Sequence, residues 1–84
     1  MQKAVVTVQA QEGLANRTAT RFIQVANGYK SRLSICQPRR TINAKSLLGV
    51  LSMKLGTGAE VEVTADGPDE EEALEALVAF LKTE

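Results

Sequence analysis

The sequence has no histidine, and its 84 residues include a single cysteine. Transition-metal sites are built mainly from imidazole and thiolate ligands, so none is expected. Cys36 cannot close an internal disulfide and forms no Cys-x-x-Cys pair. It reads as a small strand residue. No apolar run approaches the roughly 20 residues needed to span a bilayer, so no membrane insertion is expected. The opening "MQKAVVTVQ" lacks the pattern of a secretory leader. A cytoplasmic protein is the simplest expectation. There is no excess of either charge: ten Lys and Arg face ten Asp and Glu. With no surplus of positive charge to neutralise phosphates, direct nucleic-acid binding is not expected. No pattern calls for a cofactor.

What is present is an ordinary soluble composition, 44% hydrophobic and 24% charged. The length suits one domain over residues 1–84, since domains run from about 50 to 250 residues. "KAVVTVQA" (Lys3 to Ala10) is β-branched and alternating, a strand with Val6, Val8 and Ala10 on one face. "NRTATRFIQVANG" (Asn16 to Gly28) changes period. Ala19, Phe22, Ile23 and Ala26 share a helix face, and Gly28 stops the helix. "SRLSICQ" (Ser31 to Gln37) alternates again. "QPRR" is a turn, and "RTIN" (Arg40 to Asn43) returns as a short strand. "NAKSLLGVLSMKLG" (Asn43 to Gly56) holds a short helix with Ser46 as its cap, weakened by Gly49. "AEVEVTADG" (Ala59 to Gly67) alternates strictly, with Val61, Val63 and Ala65 inward. "PDEEEALEALVAFLKTE" is the clearest helix. Its first turn is acidic, Asp69 and Glu72 are spaced as a capping box, and Ala73, Leu74, Leu77 and Leu81 form its buried stripe. The acids from Asp69 to Glu72 fit a solvated helix start better than a metal site. Four strands with interspersed helices predict an α+β fold, a mainly antiparallel sheet with helices on one face.

Two segments carry more than fold. "EGLANRTATRFIQVAN" resembles the active-site segment of the HPr family, the histidine phosphocarriers of the bacterial sugar phosphotransferase system. That family's pattern is Gly-Leu-His-Ala-Arg-Pro-Ala-Thr, where this chain has Gly13, Leu14, Ala15, Asn16, Arg17, Thr18, Ala19 and Thr20. "INAKSLLGVLSM" resembles the family's regulatory segment, with Asn43, Ala44, Lys45, Ser46, Gly49, Val50 and Ser52 matching outright. The resemblance runs along essentially the whole chain. It implies an open-faced β-sandwich: four antiparallel strands covered on one face by three helices. It also implies no enzymatic activity of the chain's own.

The resemblance further implies two functional spots, and one has lost its chemistry. Ala15 stands where the family carries the phosphate-accepting histidine, and a methyl group accepts no phosphate. The hydroxyls of Thr18 and Thr20 do not replace it. Asn16 and Thr18 also depart from the pattern. Arg17, which in the family helps hold the phosphoryl group, remains, so Asn16 and Arg17 are expected to keep an anion-binding helix mouth. The second spot is Ser46, implied as the target of a dedicated HPr kinase/phosphorylase. Its plainer role is a helix cap, and the two are compatible. Phosphorylation adds a charge of about −1.5 to −2, which helical N–H groups tolerate.

A helix this short cannot bury all its apolar residues. By family analogy Val50 and Met53 point inward. Some of Leu47, Leu48 and Leu51 are then expected at the surface, although a wholly core role is the alternative. Thr20, Arg21 and Gln24, with Arg17, would rim that patch, as polar residues rim a protein interface. The implied reading is a regulatory HPr-like protein of carbon catabolite control, resembling paralogues that lack the histidine. Its partners would be the kinase/phosphorylase and a LacI-type catabolite-control repressor. The alternative is a sugar-transport phosphocarrier in which alanine has replaced an original histidine. Its partners would then include enzyme I and the permease components.

Overall fold

A computed structural model describes residues 1–9, 16–53 and 56–83. The element order is β1 (Gln2–Thr7), α1 (Asn16–Asn27), β2 (Arg32–Gln37), β3 (Arg40–Asn43), α2 (Leu47–Met53), β4 (Glu60–Asp66) and α3 (Glu70–Thr83). The sheet order is β1-β4-β2-β3, and every neighbouring pair is antiparallel. This is the four-stranded, three-helix open sandwich expected from the sequence.

Register follows from the alternation. Val6 faces Val61 and Ala4 faces Val63 across β1 and β4. Leu33 faces Ala65 and Ile35 faces Val63 across β2 and β4. A slip of one residue would turn each valine row to solvent, so burial fixes the pairing. The helices cover this face. Phe22 of α1 meets Phe80 of α3 edge-to-face, with ring centroids 5.5 Å apart. Ala19, Ala26, Ala73 and Ala65 are fully buried between the larger side chains.

The expected core is largely the observed one. Val6, Val8, Phe22, Leu33, Ile35, Val61, Val63, Leu77 and Leu81 are buried. Ile23 and Leu74 are not; they are half-covered at the core margin. The stripe of α3 is rotated from the expected one and runs Ala73, Leu77, Phe80 and Leu81, which brings in Phe80. Strand β1 ends at Thr7, but its pairing continues through Val8, whose N–H donates to Ala59 C=O at 2.8 Å. Ala10 lies outside the described residues.

Gly28 stops α1 as expected, its N–H donating to Val25 C=O at 3.1 Å. One local expectation changes. Asp69 does not close a capping box with Glu72. Its Oδ2 accepts from Lys30 N–H at 2.8 Å, and its Oδ1 accepts from Ser31 N–H at 2.9 Å and from the Ser31 hydroxyl. Two residues earlier Glu70 makes half of such a box, its Oε1 accepting from Gly67 N–H at 3.3 Å, while Gly67 has no side chain to return the bond. Gly67 is required by proximity, since a Cβ there would stand 2.7 Å from Ser31 Cα. The start of α3 is thus tied to the segment between α1 and β2, and Ser31 is pinned there rather than extending the strand.

Candidate functional site

The Asn43-Ala44-Lys45-Ser46 run turns the chain from β3 into α2, and each residue has a job. Asn43 Oδ1 accepts from Lys45 N–H at 2.8 Å, an Asx turn, and its carbonyl accepts from Ser46 N–H at 3.0 Å. Ala44 is fully buried, and its N–H donates to Leu33 C=O at 2.9 Å. Lys45 Nζ donates to Tyr29 C=O at 2.7 Å, tying the entry of α2 to the end of α1.

Ser46 then caps the helix. Its Oγ accepts from Gly49 N–H at 3.2 Å, and its carbonyl accepts from Val50 N–H at 2.9 Å. Gly49 weakens the helix by propensity but fits the site. A Cβ there would lie 3.4 Å from Ile42 Cβ and from the Ser46 Oγ. Its absence leaves open space beside the half-buried serine. At the other end, Arg40 donates to Ser52 Oγ at 2.6 Å and to Ser52 C=O at 3.1 Å. Ser52 Oγ donates in turn to Gly49 C=O at 2.8 Å. The cation closes the C-terminal end of α2, where its charge is favourable. Nothing local in the sequence linked Arg40 to Ser52; only the hairpin brings them together.

Val50 and Met53 face inward. Leu47, Leu48 and Leu51 do not: they are 40%, 82% and 39% exposed. Three leucines therefore stand at the surface on the helix that Ser46 opens. Helix α1 packs against α2. Arg17, Thr20, Arg21 and Gln24 recur at three- and four-residue spacing along α1, and all are exposed. No acidic residue stands in the first turn of α1. Gly13, Leu14 and Ala15 lie outside the described residues, as does the side chain of Asn16.

The other candidates from the sequence have ordinary surroundings. Cys36 is half-buried and unbonded on β2. No group of three or more His, Cys, Asp or Glu among the described residues could hold a metal ion. Two of the acids at the start of α3 have structural partners. Asp69 holds Lys30 and Ser31, while Glu70 Oε2 pairs with the N-terminal ammonium at 3.0 Å. These contacts hold both carboxyls below their ordinary values. For Asp69 the largest cause is the Ser31 hydroxyl, and for Glu70 it is the N-terminal ammonium. No helix among the described residues is long and apolar enough to cross a membrane.

Known proteins share this arrangement. The family model for the PTS HPr component phosphorylation site matches residues 2–83. The HPr-like protein Crh of Halalkalibacterium halodurans is 39% identical over 94% of this chain and 94% of its own. Crh of Bacillus subtilis is 40% identical over 94% of this chain and 93% of its own. The crystal structure of the phosphocarrier protein HPr from Bacillus anthracis superposes with a TM-score of 0.93 at 40% identity, covering 95% of each chain. HPr and Crh proteins are phosphocarriers or regulators rather than enzymes. Sequence, fold and the motif around Ser46 converge on one conclusion: this chain belongs to the HPr family of the sugar phosphotransferase system.

Proposed function

We propose that this chain is a cytoplasmic regulatory member of the family. It acts as one domain over residues 1–84, is switched by phosphorylation at Ser46, and does not carry phosphate on histidine. The carrying observation is the pairing of a helix-capping hydroxyl with three exposed leucines on the same short helix. The hydroxyl sits where added negative charge is tolerated, beside the N–H groups of the first turn. The leucines offer apolar area to a partner, and Arg17, Thr20, Arg21 and Gln24 on the neighbouring α1 would rim it. The HPr kinase/phosphorylase would add and remove the phosphate, and a LacI-type catabolite-control repressor would read it. Ser34 and Ser52 are poorer targets. Ser34 lies within β2, and the Ser52 hydroxyl is already engaged by Arg40 and the Gly49 carbonyl.

Ala15 removes the carrier function, because the chain has no histidine to form a phosphoramidate. Asn16 and Arg17 then serve as an anion-favouring helix mouth without a transfer atom. Similarity to HPr of Bacillus anthracis, as high as that to Crh, supports a second reading, a phosphocarrier in which alanine replaces the histidine. Incubation with the kinase/phosphorylase and ATP, followed by peptide mass spectrometry, tests the first reading. One phosphate on Ser46 is expected. Label on Ser34 or Ser52 alone would contradict it. Incubation with enzyme I and labelled phosphoenolpyruvate tests the second. No label is expected on this chain, and a fast, complete return of acid-labile label in Ala15→His would favour the substituted carrier.

A further inference from the structure

A polar cleft of about 540 Å³ lies where β2, β4 and the entry of α2 meet, and its lining includes Lys30, Arg32, Asn43, Lys45 and Asp66. Three cationic residues thus line one cleft in a chain whose net charge is zero. No carboxylate among the described residues forms an ion pair with any of them. Arg32 and Asp66 face each other across β2 and β4, yet they make no salt bridge. The segment carrying Lys30 is held in place, because the amides of Lys30 and Ser31 both donate to Asp69. Those bonds also occupy the Asp69 oxygens. Lys45 is fixed at both ends, by Asn43 through its backbone and by Tyr29 through its Nζ. The Lys45 ammonium is thus held in place before any ligand arrives, which lowers its ordering cost on binding.

We propose that this cleft binds a small phosphorylated molecule that carries hydroxyl groups. Arg32 offers a planar fork that matches a phosphate bidentately, and Lys30 and Lys45 add point charges beside it. Asp66 and Asn43 set the rest of the ligand. A carboxylate on the wall repels a polyanion that fills the cleft, but it accepts hydrogen bonds from hydroxyls. Asn43 spends its Oδ1 on Lys45 and keeps its amide N–H groups as donors. The cleft therefore offers cations for a phosphate and, beside them, an acceptor and donors for hydroxyl groups. It borders the entry of α2, where Lys45 immediately precedes Ser46, and the unmodified protein is enough to test it.

The test is an amide NMR titration of the full chain with inorganic phosphate and with glycerol 3-phosphate, at about 1–10 mM ligand. Both probes should shift the amides of residues 30–33 and 43–45, with saturation. Glycerol 3-phosphate should bind several-fold more tightly than inorganic phosphate. Arg32→Gln should weaken both probes about tenfold, the scale of one lost charge-assisted contact. Asp66→Asn should bring inorganic phosphate closer to glycerol 3-phosphate in affinity. Arg32 and Asp66 are exposed, so both variants should keep the parental spectrum elsewhere. Lys82→Gln, on α3, is the control and should change nothing. Shifts spread equally over Lys3 and Lys82 would overturn the proposal, as would linear shifts without saturation or an Arg32→Gln variant that binds as well as the parent. Phosphate binding with no preference for the hydroxylated probe would overturn the role of Asp66 and leave an adventitious ion only.

Discussion

Replacing Leu48 with alanine separates what the surface of α2 does for binding from what it does for stability. Burying a whole leucine side chain is worth about 1.5–3 kcal/mol. Leu48 is 82% exposed, so most of that gain is still available to a partner. A partner covering it would gain about 1.2–2.5 kcal/mol, and truncation to alanine forfeits most of this. At 1.4 kcal/mol per factor of ten, affinity should fall about tenfold. The fold has little to lose, since exposed substitutions usually stay within about 0.5 kcal/mol and alanine is a strong helix former. Titration calorimetry with the repressor and Ser46-phosphorylated Leu48→Ala protein reads the first effect. A thermal melt reads the second. A change in affinity below about twofold would refute the interface role, because a buried leucine cannot be that cheap to remove. A large loss of stability would show that Leu48 belongs to the core.

Other outcomes follow from the same geometry. Phe22→Ala should cost about 3–5 kcal/mol in chemical denaturation, because the ring is fully buried and stacked edge-to-face on Phe80. Ile23→Ala should cost clearly less, since Ile23 sits at the core margin. Asp69 gives a pH dependence. Its folded carboxyl lies below the ordinary value of 3.8, so its stabilising contribution is present above that value and is lost as pH falls through the folded one. Melting temperature should therefore drop on acidification below about pH 4, and Asp69→Asn should lower stability near neutrality while flattening that acid limb. An unchanged acid limb in Asp69→Asn would assign it to other carboxyls, Glu70 first among them.

Element order was legible because each segment keeps its own period: two in Val61, Val63 and Ala65, and close to four in Ala19, Phe22 and Ala26. Surface leucines were expected from length, since seven residues of helix cannot face five large apolar side chains inward, and the family resemblance pointed to Val50 and Met53 as the inward pair. What stayed hidden was long-range. α3 carries apolar residues at Ala73, Leu74, Ala76, Leu77, Val78, Ala79, Phe80 and Leu81, so several stripes were possible. The packing of Phe80 on Phe22 chooses among them. Asp69 looked like a local cap because its partners, Lys30 and Ser31, lie 39 and 38 positions away. Arg40 was legible as the start of β3, but its bond to Ser52, 12 positions away, was not. Ser46 was legible because its cap bond is local, three residues long, and its motif matches a family.

The most direct test of the account is calorimetric titration of the catabolite-control repressor with unmodified protein, the Ser46 phosphoprotein and Ser46→Ala. Ser46→Ala loses a cap bond worth about 1 kcal/mol and should remain folded. The account predicts measurable binding only by the phosphoprotein, because the phosphate supplies charge pairing that the leucines alone lack. Equal binding by all three proteins would contradict it and leave Ser46 as a helix cap.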